Sequence, residues 1–148
     1  MFAFDSNLKP VVGQQVTLSS TSGSDITDRV NLLIARAAAG DSDLVVKGNI
    51  GNEPRGWVRQ ADGTYKSDAV SEAPLPEAVL KGLANTIGQE LTFTAVPPGS
   101  GTRIGIDRDR DTVLNFDDNC VATPNVTQAD ADNDGIGNDC DANACHPD

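Results

Sequence analysis

Acidic side chains recur at alternate positions in the last third of the chain, in a pattern suited to holding a metal ion. If Asp107 is counted as position 1, side chains with an oxygen atom fall at positions 1, 3, 5, 9 and 12. The same pattern begins again at Asp130, and all five positions are again Asp or Asn. Two such copies in a short segment are not expected by chance. The residues are Asp107, Asp109, Asp111, Asn115 and Asp118 in the first copy, and Asp130, Asp132, Asp134, Asn138 and Asp141 in the second.

This spacing fits the coordination chemistry of calcium. Ca²⁺ takes about six to eight oxygen ligands, and acids at alternate positions of a loop can surround one ion. We expect the backbone carbonyl at position 7, in Val113 and Ile136, to add a ligand, and the acid at position 12 to close the site. Gly135 at position 6 permits a sharp turn, whereas Thr112 holds this position in the first copy, which we expect to be strained. Both copies end in Asp and no amphipathic helix flanks them, so we exclude a paired EF-hand sensor.

Amide, glycine and cysteine residues stand at fixed places around the acids. The motifs are Asp118-Asn119-Cys120, Asn125-x-x-Gln128, Asp134-Gly135-x-Gly137 and Cys140-Asp141. With them, residues 107–141 resemble thrombospondin type 3 repeats. The resemblance implies calcium-filled loops with almost no hydrophobic core. It also implies a disulfide between Cys120 and Cys140, at the positions that such repeats bridge between successive units. The chain departs from the family at Thr112, where Gly is usual. It departs also at Asn115 and Asn138, where Asp is usual, and these amides should lower calcium affinity.

The remaining cysteine leaves a second interpretation open. Three cysteines cannot all pair within one chain, so Cys145 is left over. Cys140, Cys145 and His146 together resemble an expanded attachment site of a c-type haem, with His146 as the iron ligand. No second His is present for the other axial position, and Cys140 already has a place in the repeat. Asn125 also begins an N-glycosylation acceptor motif.

Charge divides the chain into a nearly neutral body, residues 1–106, and an acidic tail, residues 107–148. The 148 residues carry 11 Lys and Arg and 22 Asp and Glu, for a net charge of −11. Half of these acids lie in the tail, all of them Asp, with Arg108 and Arg110 as its only bases. This excludes nucleic acid as a partner and favours cations. No apolar run approaches the roughly 20 residues of a membrane span. An acidic disordered tail is the alternative to a calcium-filled one.

The body reads as short strands with one helix, which predicts a mainly β fold, a small β-sandwich-like domain. The spacing of Leu75, Val79, Leu80 and Leu83 favours a helix, with Pro76 at its first position and Gly88 as its stop. The run 29–40 fits helix or strand, and we interpret it as a strand because 44–47 follows at hairpin distance. Asp62-Gly63 indicates a hairpin turn. The other predicted strands are 11–12, 15–18, 56–60, 63–66, 90–96 and 103–106.

No catalytic motif is present in the body, because the one histidine is His146 and no base accompanies the Ser and Thr residues. Trp57 and Tyr65, on facing predicted strands, would be either a surface pair that stacks on sugar or part of the core. The segments 3–8, 12–17 and 99–107 resemble a β-rich module at the C-terminal ends of large secreted bacterial proteins. That resemblance implies no activity.

We therefore expect an extracellular, calcium-stabilised structural or adhesive module without catalysis, as a processed piece of a secreted protein. The cysteines favour an oxidising compartment, and Met1–Phe4 lacks the features of a signal peptide. Met1–Phe4 is also an apolar strand without a nearby partner. It predicts strand addition between copies in a homo-oligomer or filament. A calcium-dependent domain that binds glycan or surface polymer is the alternative function.

Overall fold

Five strands and three helices make up the part of the chain that the computed structural model describes, residues 9–143. The strands pair antiparallel throughout, in one sheet with the order β1-β5-β2-β3-β4. The prediction of a mainly β fold is confirmed. In chain order the elements are β1 (Gln15–Leu18), α1 (Ser24–Ala38), β2 (Asp43–Ile50), β3 (Glu53–Arg59), β4 (Tyr65–Ser67), α2 (Glu77–Leu83), β5 (Leu91–Val96) and α3 (Gly101–Gly105).

Residues 29–40 lie mostly in helix α1, so the strand predicted there is wrong. Val30, Leu33 and Ile34 are buried, and their spacing of three and four places them on one face of the helix. The helix ends before Gly40, whose φ of +79° is a conformation that glycine adopts without strain. The apolar run satisfied both periods, and the helical one is used because α1 covers a face of the sheet.

In the described part of the chain, helices and not a second sheet cover the face of the sheet against which α1 packs. The layer opposite the sheet therefore differs from the sandwich that we predicted. Trp57 and Tyr65 are 2% and 0% exposed, so neither is available to stack on a sugar. The core between sheet and helices contains, among others, Val16, Val30, Leu33, Ile34, Leu44, Val46, Trp57, Tyr65, Leu80, Leu91, Phe93 and Ala95.

The opposite face of the sheet is covered at one end by α3, where we had predicted a strand over 103–106. The carboxylate of Asp43 accepts hydrogen bonds from the N–H groups of Gly99 (2.9 Å) and Gly101 (2.8 Å), which holds the start of α3 at β2. A Cβ atom on Gly56 would collide with the carbonyl oxygen of Gly105. Because α3 lies so close to β3, Asp107, which follows α3 in the chain, begins next to the sheet.

The local predictions around the sheet are mostly confirmed. Helix α2 lies within the predicted span, although Pro76 is its N-cap residue and not its first helical one. Gly63 has a φ of +88° in the turn between β3 and β4. Residues 10–13 form a turn instead of a strand. In residues 9–143, no helix has both the length and the apolar character that crossing a membrane requires.

Candidate metal centre

The predicted ligands fall into two loops, which we call loop 1 (residues 107–118) and loop 2 (residues 130–141). In loop 1, Asp107, Asp109 and Asp111 each present a carboxylate oxygen, and these three atoms lie within 4.8 Å of one another. The first three acids of loop 2 meet the same condition, and they are Asp130, Asp132 and Asp134. The structure therefore brings the alternating acids of each copy together, as the spacing predicted.

Backbone N–H groups hold the acids of both loops in the same way. In each loop the Oδ1 atom at position 1 accepts from the N–H at position 4, position 3 from position 5, and position 5 from position 7. Each side chain thus folds back on its own turn, which Asp does more readily than Glu. The donors are Arg110, Asp111 and Val113 in loop 1 and Asn133, Asp134 and Ile136 in loop 2.

The amide at position 9 closes each loop across its mouth. Oδ1 of Asn115 accepts from the N–H of Arg108 at 2.9 Å, and Oδ1 of Asn138 accepts from the N–H of Ala131 at the same distance. The backbone N–H groups of these asparagines donate to the carbonyls of the residues just before each loop. A neutral amide therefore serves here to fix the shape of the loop, in addition to its predicted role as a ligand.

The acid at position 12 has one satisfied and one unsatisfied oxygen in both loops. Oδ1 of Asp118 accepts from the N–H of Cys120, and Oδ1 of Asp141 accepts from the N–H of Asn143, each at 2.8 Å. Oδ2 of Asp118, of Asp141 and of Asp109 is buried and has no hydrogen-bond partner in the described structure. A buried carboxylate oxygen without a partner is costly, and a cation is the group that satisfies it. The donor set therefore fits a hard, oxygen-binding ion such as Ca²⁺.

The carboxylates repel one another where no cation is bound. Burial, followed by the charges of Asp111, Asp118 and Asp107, raises the pKa of Asp109. Burial also raises the pKa of Asp132, with the charge of Asp134 next in importance. Both residues hold position 3, in the middle of their cluster. A divalent cation would reverse this balance, because it attracts the ionised form of each acid.

A network of amides and the disulfide join loop 1 to loop 2. Cys120 and Cys140 are bridged, as the family resemblance implied. Nε2 of Gln128 donates to Oδ1 of Asp118 at 3.0 Å, and the N–H of Asn125 donates to Oδ2 of Asp111 at 2.8 Å. Two acids of loop 1 are thus held by the segment that leads to loop 2. The sequence motif named these residues without showing that they support acids of the other copy.

Asn125 is unsuited to carry a glycan in this fold. It is 4% exposed, and its side-chain amide contacts Asn119 and Gln128. A sugar on this side chain would have to occupy the space of the amide network. The acceptor motif is therefore explained by the repeat. Cys145 and His146, which carried the haem interpretation, lie outside the described residues, as does Met1–Phe4.

A groove of about 620 Å³ lies between loop 1 and the uncovered part of the sheet. Lys47 and Thr92 are paired neighbours on this face, and Arg108 and Asn115 of loop 1 also line the groove. Lys47 and Arg108 are exposed, and neither forms an ion pair with another described residue. The groove thus offers two positive charges without ion pairs, beside Asp68 and the exposed Glu90, which also line it.

Comparison with known proteins finds one short similarity. A stretch of 27 residues, 18% of this chain, is 70% identical to thrombospondin-3a of Danio rerio. The stretch corresponds to 3% of the length of that relative. No family model matches the chain, and no solved structure matches it. The chain is therefore similar to a thrombospondin in a short segment, and its acid clusters and its disulfide are compatible with a calcium-binding module.

Proposed function

We propose that the tail binds calcium, with one ion or more in each loop, and that bound calcium maintains its fold. The observation that carries this proposal is the set of buried, unpartnered oxygens of Asp109, Asp118 and Asp141 within two acidic loops. The ligands are the twelve residues predicted from the sequence, with the carbonyls of Val113 and Ile136 at position 7. Few apolar residues lie in the tail, so the free energy of ion binding would contribute most of its stability.

The biological role that we propose is that of an extracellular structural or adhesive module, without catalysis. The disulfide supports an oxidising compartment, where such bridges persist. A role in filaments through strand addition by Met1–Phe4, which lies outside the described residues, stays a prediction. Sedimentation in calcium, with the full chain and with residues 1–10 deleted, tests that role. A species that remains monomeric at high concentration, or an assembly indifferent to the deletion, would contradict it.

Isothermal titration calorimetry tests calcium binding. Protein that has been freed of metal with chelator is titrated with Ca²⁺. We expect saturable binding to the full chain and the loss of one loop's binding in each of Asp109→Asn and Asp132→Asn. The matched control is Asp139→Asn, which removes the same charge from an exposed acid of the tail outside the predicted ligand set. No uptake of calcium by the unmodified chain would refute the proposal, as would an equal loss of binding in the control.

A second candidate function is calcium-dependent binding of an acidic glycan, which the groove beside loop 1 favours. Lys47 and Arg108 would pair with carboxylates, while Thr92 and Asn115 would bond to hydroxyl groups. A glycan array probed with and without chelator tests this function. We expect Lys47→Ala and Arg108→Ala to abolish any signal, whereas Lys66→Ala, at an exposed site outside the groove, leaves it intact. Binding that survives all three substitutions would exclude the groove.

A further inference from the structure

The two loops end in different surroundings, although their acids are held alike. Each loop closes through the five residues at positions 8 to 12, which are 114–118 in loop 1 and 137–141 in loop 2. Position 11, directly before the closing acid, is Asp117 in loop 1 and Cys140 in loop 2. Hence the residue that precedes the closing acid differs in chemistry between the loops, and so do its contacts.

The closing segment of loop 1 is bound to the body. Leu114 is buried in a cluster with Val58 and Ile106. The N–H of Phe116 donates to the carbonyl of Asp68 at 3.0 Å. Oδ2 of Asp117 accepts from the N–H of Val70 at 2.7 Å. These contacts fix the backbone that leads into Asp118, and their partners Val58, Asp68 and Val70 lie far earlier in the sequence.

Arg55 of β3 completes this attachment. Its guanidinium lies 4.5 Å from the centre of the Phe116 ring, within the range of a cation–π contact. The same group donates to Asp68 at 2.9 Å and to Glu72 at 2.7 Å, and its side chain is only 10% exposed. Arg55 is thus fixed by its ion pairs, and it presents a rigid cationic surface to Phe116.

The closing segment of loop 2 is bound to the tail itself. Cys140 is bridged to Cys120, and the N–H of Gly137 donates to the carbonyl of Asn119 at 3.0 Å. A Cβ atom at Gly137 would collide with the side chain of Asn119, so the two segments are in close contact. The closing acid of loop 2, Asp141, is therefore positioned by a covalent bond within the tail.

We infer that Phe116 and Asp117 position the calcium site of loop 1 through the body, whereas the disulfide positions that of loop 2. This inference rests on the proposed function and deepens it, because it assigns positioning residues outside the ligand set. Loop 1 is held in shape before calcium arrives, since its exit is attached to the sheet. Part of the conformational entropy that loop 1 would lose on binding calcium is then already lost when the body folds. Loop 1 should therefore bind calcium more tightly than an unattached loop would. Loop 2 therefore depends on oxidation more strongly than loop 1 does.

Calcium titrations of single-site backgrounds test this assignment. In an Asp132→Asn chain only loop 1 binds, and we expect Phe116→Ala to weaken its affinity roughly two- to fivefold. Asp117→Ala removes a solvent-exposed hydrogen bond to a charged acceptor, and we expect a loss of roughly three- to tenfold. The matched control is Val126→Ala, which truncates an exposed apolar side chain of the tail, 66% exposed, and leaves the affinity unchanged. The near-UV signal of buried Trp57 verifies that the body remains folded.

The reciprocal measurement uses an Asp109→Asn chain, in which only loop 2 binds. Replacing Cys120 and Cys140 by Ser should weaken loop 2 by up to roughly a hundredfold, since the bridge closes a loop of about 20 residues. The same replacement should weaken loop 1 by a much smaller factor in the Asp132→Asn chain, because the serine at position 120 would keep the backbone N–H that now binds Asp118 and the body would still hold residues 114–117. Hydrogen exchange in chelator gives a readout independent of binding, with residues 114–118 protected and residues 137–141 exchanging fast once the bridge is removed.

The outcomes separate the inference from the function on which it rests. If the unmodified chain takes up no calcium, both fall. If it binds calcium and Phe116→Ala and Asp117→Ala leave loop 1 unchanged, the inference alone is overturned. It is also overturned if these variants weaken both loops equally, since the body would then act on the whole tail.

Discussion

Thr112 and Gly135 hold the same left-handed backbone conformation at position 6 of the two loops, with φ angles of +82° and +91°. A branched residue adopts this conformation only at a cost of about 1–2 kcal/mol, whereas glycine adopts it freely. Three hydrogen bonds that fold the acids around this turn are the same in both loops, and loop 2 has one more, from the N–H of Gly135 to Oδ2 of Asp130 at 3.0 Å. Loop 1 therefore keeps the geometry of loop 2 in spite of an unsuitable residue, and its attachment to the body is one source of compensation.

Replacing Thr112 by Gly should stabilise loop 1. We expect a gain of up to about 1 kcal/mol, offset in part by the greater freedom of glycine in the unfolded chain. Two measurements test this gain in stability. They are the calcium affinity of loop 1 in the Asp132→Asn background and the thermal unfolding temperature in calcium. Gly135→Thr is the reciprocal control and should weaken loop 2. A Thr112→Gly chain that binds calcium less tightly would contradict this explanation.

Gly137→Ala should destabilise the junction between the loops. The new Cβ would collide with the side chain of Asn119 and lie 2.7 Å from Sγ of Cys120, in a region fixed by the disulfide. Overpacking of this kind costs about 1–3 kcal/mol. Urea unfolding of the tail, monitored by hydrogen exchange, measures the effect. Gly82→Ala in α2 is the control, since nothing lies within 4 Å of its Cβ position. Equal effects at the two sites would disprove the close contact.

Acid should weaken the ion pair between Arg55 and Glu72. The hydrogen bond from Arg55, and next that from Ser67, lowers the pKa of Glu72 below its ordinary value of 4.5. The folded-state pKa is the lower one, so this contribution is present above pH 4.5 and is lost as the pH falls through the folded value. We expect Glu72→Gln to reduce stability at pH 7 by less than about 1 kcal/mol, because Glu72 is partly exposed.

The measurement for Glu72 is urea unfolding of both chains in chelator between pH 7 and pH 3. The difference between the unmodified chain and Glu72→Gln should shrink over the acidic part of this range. Glu53→Gln is the control, because Glu53 forms no ion pair among the described residues. A difference that stays constant down to pH 3 would show that the pair does not stabilise the fold.

Removal of calcium should make the tail sensitive to proteolysis while the sheet persists. Loop 2 has exposed or half-exposed acids, whereas Asp107 and Asp111 of loop 1 are 7% and 5% exposed. A serine protease of broad specificity, whose catalysis needs no metal ion, should therefore cleave within residues 130–141 first in chelator, and calcium should suppress the cleavage. Mass spectrometry of the fragments identifies the sites. A tail that resists the protease equally with and without calcium would contradict calcium-dependent folding.

The sequence by itself determined the two acidic loops. Each loop is built from side chains that bond to backbone groups two or three residues away, so their spacing along the chain carries the geometry. Asp107, Asp109 and Asp111 meet because alternate acids in such a turn must meet. For the same reason α2 and the turn at Gly63 were found: their signals lie within one short segment.

The tertiary structure alone decided which form the ambiguous runs take and what the loops are attached to. Residues 29–40 have apolar spacings that satisfy more than one period, and residues 103–106 alternate as a strand would, although they lie at the end of α3. Packing on the sheet favours the helical form of both segments. Helix α1 covers Val46 and Phe93 on one face, and Gly56 on the other face lets Gly105 of α3 come close. The attachment of Phe116 to Arg55, and of Asp117 to Val70, joins segments that are distant in the chain. No local pattern encodes such a pair, because it forms only when the sheet has brought β3 and the loop together.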